Sequence, residues 1–183
     1  MNITKEKQQS AYLALKDTFG YTSTMQGPRI VKAIVSTGVG KKRDKKVIDL
    51  IENRLTAIVG QKPSRRAARL SIASFKLREG DTVGLATTLR GARMYDFLDK
   101  LIHIALPRTR DFRGLPATAI DEMGNLTIGI KENTIFPETS EEDIKDVFGL
   151  AITIVTTAKS KKEAEMFFRH LGVPLRVDSE AKR

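Results

Sequence analysis

Apolar positions recur at helical spacing in four stretches of this chain and at strand spacing in several others, with glycine and proline as the punctuation between them. Tyr12, Leu15 and Phe19 fall on one side of a first helix that Thr4 can cap and Gly20 ends. Residues 29–37, RIVKAIVST, are β-branched and almost continuously apolar, as expected of a central strand with both faces covered. Beyond Gly38 and Gly40, the spacing of Val47, Ile51, Leu55 and Ile58 predicts a second helix, with Gly60 as its C′ residue.

Residues 70–77 and 82–89 read as two extended arms joined by the turn Arg78-Glu79-Gly80-Asp81. A third helix over residues 93–106 buries Leu98, Leu101, Ile102 and Ala105 and stops at Pro107. Residues 115–120 and 126–130 flank Asp121-Glu122-Met123-Gly124-Asn125 as a second hairpin. Residues 150–157, LAITIVTT, form another strand. Ser160 and Glu163 then make a capping box for a last helix that holds Phe167, Phe168 and Leu171 inside and is closed by Gly172 and Pro174.

The resulting order is α, β, α, β, β, α, β, β, a short helix, β, α, with no fixed-period repeat and no low-complexity linker. It predicts an α+β fold: one largely antiparallel, twisted β-sheet with helices packed on one face, an RRM/ferredoxin-like layout with additional hairpins. The other sheet face is left free to bind. At 183 residues and 40% hydrophobic composition, one domain spanning 1–183 can bury a real core.

Composition then removes whole classes of chemistry. The chain has no cysteine, which excludes disulfides, thiolate catalysis, cysteine-ligated zinc and iron–sulfur clusters. The opening MNITKEKQQSAYLALKD is too polar for a secretory signal, and no window approaches the roughly 18 apolar residues of a membrane span, so a soluble, untargeted protein is expected. The net charge of +10 is unevenly placed: residues 1–60 carry +6, residues 61–113 carry +7 and residues 114–183 carry −3. Such a basic face attracts polyphosphate by counterion release. A positive excess can also serve solubility alone, but segregation of sign favours a polyanionic partner.

No catalytic or cofactor pattern survives inspection. Gly38-Val39-Gly40-Lys41-Lys42 sits between a strand and a helix, yet a phosphate loop would need glycine where Val35 stands and Ser or Thr where Lys42 stands; a dinucleotide fingerprint would need glycine in place of Arg43. His103, inside the third helix, and His170, near the end of the last, lie far apart in the chain and read as surface or half-buried histidines. Asp121 and Glu122 are adjacent and suit turn chemistry better than an acid/base pair. No metal and no cofactor are expected.

The basic clusters are more informative. Lys62, Arg65, Arg66 and Arg69 lie in a stretch that Gly60 and Pro63 keep from continuing the second helix, and a flexible cationic loop there can track a phosphate backbone. Lys76 and Arg78 mark a charged hairpin tip beside Phe75, which either stacks on a base or belongs to the core. Arg90 and Arg93 sit at the front of the third helix, and Arg108, Arg110 and Arg113 follow it. A helix of about 14 residues is roughly 21 Å long, so these two sets serve separate contacts.

In order along the chain stand Met25-Gln26, Pro28-Arg29, Gly38-Val39-Gly40, Gly60-Gln61-Lys62-Pro63, Phe75-Lys76 with Arg78 and Gly80, and Thr88-Leu89-Arg90-Gly91. Then follow Pro107-Arg108, Arg110-Asp111-Phe112-Arg113-Gly114-Leu115, Gly124-Asn125, Ile135-Phe136-Pro137-Glu138 and Thr156-Thr157-Ala158-Lys159. With these motifs the sequence resembles the bacterial large-subunit ribosomal protein five family, which carries 5S rRNA. The resemblance implies a structural, non-enzymatic protein of the cytoplasmic ribosome that binds 5S rRNA in the central protuberance. Its further implied partners are P-site tRNA, 23S-type rRNA, neighbouring large-subunit proteins and a basic protein of the small-subunit head, with no membrane.

Carried over by resemblance, the 5S rRNA contacts are Ser36, Gln61 and Thr88 with Arg90, joined by the basic Lys62, Arg65, Arg66 and Arg69; Phe75, Lys76 and Arg78 approach the tRNA. Ser36 stands where the family usually has asparagine, and a hydroxyl does not reproduce an amide's donor–acceptor pair. The small-subunit bridge is assigned to Arg108, Arg110 and Arg113 and to the acidic Glu138, Glu141, Glu142, Asp143 and Asp146. Those carboxylates repel RNA and suit a basic protein, or else form a solvated helix start. Two other readings stay open: a general basic RNA-binding protein or RNA chaperone with the same fold, and a nucleotide-using RNA enzyme built on the glycine loop.

Overall fold

The structure is a computed structural model that describes residues 2–40, 44–139 and 147–176. Among these, four α-helices, α1 (Ile3–Phe19), α2 (Lys45–Val59), α3 (Ala92–Lys100) and α4 (Lys161–Leu171), accompany five strands, β1 (Ile30–Gly38), β2 (Ser64–Ala67), β3 (Thr82–Leu89), β4 (Leu126–Ile130) and β5 (Leu150–Thr156). The strands form one antiparallel sheet in the order β2-β3-β1-β5-β4, so the α+β expectation holds. The chain gathers into two compact units whose boundaries cut through β1, the end of β3, β4 and β5. Unit 1 comprises residues 1–33, 89–128 and 153–183; unit 2 comprises 34–88 and 129–152.

Alternation governs every strand but β2. In β1, Ala33, Val35 and Thr37 are buried while Ile34 and Ser36 are half-buried; β3 hides Leu85, Thr87 and Leu89, and β5 hides Leu150, Ile152, Ile154 and Thr156. The expectation that β1 is covered on both faces is therefore corrected: its apolar run is continuous in sequence, yet one face stays partly open.

In unit 1, α1 packs against α4 and α3. Thr4 does not cap α1. Asn2 occupies that position, and Thr4 is buried two residues on, its amide (2.8 Å) and its hydroxyl both donating to the Asp99 carboxylate. The last helix follows its sequence signature: Ser160 Oγ accepts the Glu163 amide, and Gly172 ends the helix in the left-handed conformation. Glu163 departs from the reciprocal half of the box by accepting from the Lys159 amide at 2.7 Å and from the Tyr21 hydroxyl.

The third helix is more than an α-helix. After Lys100 it widens into a π-helical turn, Leu101–Ala105. Its buried residues come in pairs four apart, Phe97 and Leu98, Leu101 and Ile102, Ala105 and Leu106. On a 3.6-residue helix such pairs drift steadily around the axis, and a wider turn rotates them back toward the core.

Two predicted hairpins are corrected. Residues 115–120 form no strand, and the second hairpin shrinks to a single antiparallel bridge, Ile120 to Leu126: Leu115 bridges Leu175 in parallel, residues Ala117–Ala119 make a 3-10 turn, and β4 pairs in the sheet with β5. The turn itself is as read, for the Asp121 carboxylate accepts from the Asn125 amide (2.7 Å) and side chain (2.8 Å). Those bonds, the side-chain one first, hold the Asp121 pKa below the ordinary aspartate value. The other correction concerns β3, whose partner is β2 and not residues 70–77.

Gly124 has φ +78°, and a Cβ there would lie 2.8 Å from Ala158 Cβ and 3.1 Å from Ala158 O. Gly124→Ala is expected to lower stability by roughly 2–4 kcal/mol, through backbone strain and overpacking together, as measured by urea denaturation. Burial first, and then Glu163 as hydrogen-bond acceptor and negative neighbour, raise the Tyr21 pKa well above that of a free tyrosine. The neutral phenol is thus the form the fold favours. Its contribution is complete below the ordinary tyrosine pKa and is lost as pH rises through the folded value. Stability should fall from about pH 9 to about pH 11, and less steeply in Tyr21→Phe, when both are compared by chemical denaturation.

Candidate nucleic-acid interface

The candidate surface in unit 2 begins with the open face of its strands. Ile34, Ser36, Gly84, Ala86, Thr88 and Ala151 all belong to the half-buried set, so apart from Ile34 the floor is made of small side chains and hydroxyls. Ser36 Oγ lies 3.5 Å from Ala151 O, a long contact that leaves the hydroxyl available for a better partner. At the edge, Ser64 pairs with Ala86, Arg65 with Leu85 and Arg66 with Gly84. Paired residues share a face. Ser64 and Arg66 therefore flank the open floor, and Arg65 projects toward the side on which Leu85 is buried.

The expected flexible loop over Lys62, Arg65, Arg66 and Arg69 is thus corrected at its centre: Arg65 and Arg66 belong to an edge strand, with Lys62 before it and Arg69 after it. Ser64 Oγ donates to Ala86 O at 2.9 Å, and Pro63 is buried. The four cations also part company. Glu52 of α2, only 5% exposed, accepts from Arg65 Nε at 2.8 Å and Nη2 at 2.5 Å, while its other oxygen lies 3.4 Å from Lys62 Nζ. Asp49, one helical turn earlier, takes Arg65 Nη2 at 2.7 Å. These bonds, to Glu52 first, raise the Arg65 pKa further. Arg66 and Arg69 are exposed and meet no carboxylate among the described residues. Glu52 and Asp49 escaped the sequence reading. The available signal was an acid inside the apolar stripe of α2, whose other buried members are Ile48, Ile51, Leu55, Ile58 and Val59.

Gln61 is half-buried just after the left-handed Gly60, and Thr88 is half-buried near the end of β3. Between β2 and β3 the chain makes an excursion whose stem is tied by Ala68 N–H to Asp81 O (2.8 Å) and Gly80 N–H to Ala68 O (3.1 Å). Ile72 and Leu77 form a small bridge around a 3-10 turn, Ala73–Phe75, and Lys76 follows at φ +50°. Phe75 is 73% exposed, which settles the alternative between core and surface in favour of the surface. Lys76 and Arg78 are exposed beside it.

Arg90 belongs to unit 1, exposed between the end of β3 and Gly91. In the same unit Arg108, Arg110 and Arg113 are exposed on the loop after Pro107. That loop is pinned where Arg176 Nε donates to the carbonyls of Arg113 and Gly114. Glu138 is exposed on a 3-10 turn, Pro137–Thr139, and Glu141, Glu142, Asp143 and Asp146 lie outside the described residues. Among the described residues no cluster of potential ligands could hold a metal ion, and no helix is long and apolar enough to cross a membrane.

The sequence matches the family model described as ribosomal protein L5 over residues 23–78, and the model for the C-terminus of the same ribosomal family over residues 82–175. It is 47% identical over 174 residues to the large ribosomal subunit protein uL5 of Flavobacterium johnsoniae, covering 94% of this chain and 95% of that one. The uL5 proteins of Heliobacterium modesticaldum (46% over 176 residues, 95% and 98% covered) and Anaeromyxobacter sp. strain K (47% over 163 residues, 88% and 91% covered) are similar to a comparable degree. Successive models of one family, and near-half identity sustained along the length, establish that the chain belongs to the ribosomal protein L5 family and is a non-enzymatic protein of the large ribosomal subunit.

Proposed function

We propose that this ribosomal protein binds 5S rRNA through the open sheet face of unit 2 and helps attach it in the central protuberance. The observation that carries the reading is the pairing of Arg66 with Gly84 beside a floor of Ser36, Ala86 and Thr88. Small residues let a broad, ridged surface approach the sheet, hydroxyls offer hydrogen bonds to sugars and phosphates, and an unpaired edge guanidinium provides bidentate phosphate contact. Gln61 and Arg69 extend this set, Arg90 contributes from unit 1, and Lys62 and Arg65 act where Glu52 holds them. Shape and backbone contacts supply the affinity, in keeping with the lack of an aromatic stacking platform on the floor.

The excursion carrying Phe75, Lys76 and Arg78 is proposed to meet P-site tRNA, supported by an aromatic ring and two cations exposed together. Arg108, Arg110 and Arg113, with Glu138, Glu141, Glu142, Asp143 and Asp146, are proposed to face the small-subunit head, whose basic protein the carboxylates suit electrostatically. 23S-type rRNA and neighbouring large-subunit proteins complete the partners.

Binding to 5S rRNA and to an unrelated structured RNA of equal length, titrated against salt, tests the main reading; equal affinity for the two at physiological salt would falsify it. Replacing Arg66 and Arg69 together by alanine should weaken 5S rRNA binding and lower the log–log salt slope by about 1–2, without loss of folded protein by circular dichroism. Lys76→Ala with Arg78→Ala should leave 5S rRNA binding within about twofold while weakening P-site tRNA on assembled ribosomes, and a large loss of 5S binding would contradict that division of labour.

A further inference from the structure

Strand β2 poses a problem that its own sequence does not solve. Register in a sheet is normally set by which residues must be buried, because a slip of one residue sends every side chain to the opposite face. The four residues of β2, Ser64-Arg65-Arg66-Ala67, are all exposed and none is a large apolar side chain. The strand lies at the sheet edge, paired on one side only, and its register already shifts between Arg66 and Ala67. Ser64 bonded to Ala86 O and the buried Pro63 mark where the strand starts and the buried Ala68 where it ends, yet within the strand nothing apolar says which arginine goes to which face.

The distinction between the two arginines lies on α2. Glu52 sits within the buried stripe of that helix, where a leucine would cost no desolvation; one of its oxygens accepts from Arg65 of β2 and the other lies beside Lys62, two residues before the strand. A buried ion pair is a weak source of stability, but it discriminates strongly between arrangements, since any other register leaves the carboxylate buried without its partner. Asp49 reinforces the choice by taking the same guanidinium. We infer that Glu52 is a positioning residue that sets the register of β2 by claiming Arg65, and that this is what delivers Arg66 and Ser64 to the open face. The inference rests on the proposed RNA-binding reading for its functional half. Its structural half concerns the strand alone.

The sign of the effect follows from the geometry. Without Glu52, Arg65 and Lys62 are released and the two registers of β2 become close in energy. The edge then presents more mobile cation and less defined shape, so electrostatic binding persists while discrimination among RNAs declines.

The test uses the full chain. Glu52→Leu fills the same volume without the charge, Glu52→Gln keeps the shape and removes the charge, and Glu52→Arg with Arg65→Glu reverses the pair. Cross-strand NMR contacts between Ser64 and Ala86 and between Arg66 and Gly84 report the register without RNA. Expected in both single variants are loss or doubling of these contacts, a preference for 5S rRNA over an unrelated structured RNA reduced about tenfold, and an unchanged or steeper salt slope; the reversed pair should restore contacts and preference. Intact contacts in Glu52→Leu and Glu52→Gln overturn the inference, and so does an unchanged preference once the contacts are lost. Failure of the RNA reading is seen separately, as a wild-type protein that shows no preference for 5S rRNA while the NMR contacts still respond to Glu52.

Discussion

A β-strand can hide only every second residue, and in this sheet the hidden set is the apolar one. Val35, Leu85, Ile152 and their neighbours are buried on one side, which obliges Ile34, Ser36, Gly84, Ala86, Thr88 and Ala151 to lie on the other. Apart from Ile34, those residues are neither large and apolar, which would create a sticky surface, nor bulky and charged, which would roughen a face on which another molecule is to lie flat. Small and hydroxylic residues satisfy both conditions. The surface proposed for RNA is in this sense the complement of the core, written on alternate letters of the same strands.

The second organising influence is a carboxylate placed among hydrocarbons. Glu52 pairs with two of the basic side chains of its region, the partly exposed Arg65 and the largely exposed Lys62, and Asp49 shares the first of them. In unit 1, Glu165 engages Arg169 in the same way on the surface of α4. A formal charge of +10 is therefore a poor measure of what a polyanion would meet, because exposure and partnership differ among the arginines. Arg65 and Arg66 are neighbours in sequence with opposite assignments, one turned to the helix and one to the open face.

Sequence patterns captured the elements whose residence is set locally. The stripe of Ile51, Leu55 and Ile58 located α2, the capping Ser160 located α4, and glycines at 20, 60 and 172 ended their helices in the left-handed conformation. They failed where partnership is long-range. Leu70, Ile72 and Phe75 have the composition of a strand but are exposed, while the true partner of β3 is a tetrapeptide with two arginines whose place depends on acids of α2. Thr4 has the chemistry of a cap, yet its hydroxyl is claimed by Asp99, 95 positions away. The basic segment was legible as important and illegible as structure, since no local rule separates a cation held by Glu52 from one left to solvent.

The π-helical turn Leu101–Ala105 has a consequence for how the chain can change in length. A wide turn of this kind amounts to one residue more than an α-helix needs to cover the same rise, absorbed without breaking the helix. Most positions in a packed helix are intolerant of deletion, because everything downstream rotates by about 100° and the apolar stripe leaves the core. Here the surplus residue has been accommodated already, so a shorter sequence could close the turn into ordinary α-helix and deliver Pro107 and the arginines beyond it to nearly the same place. The widened turn is therefore the point where the length of this helix is negotiable.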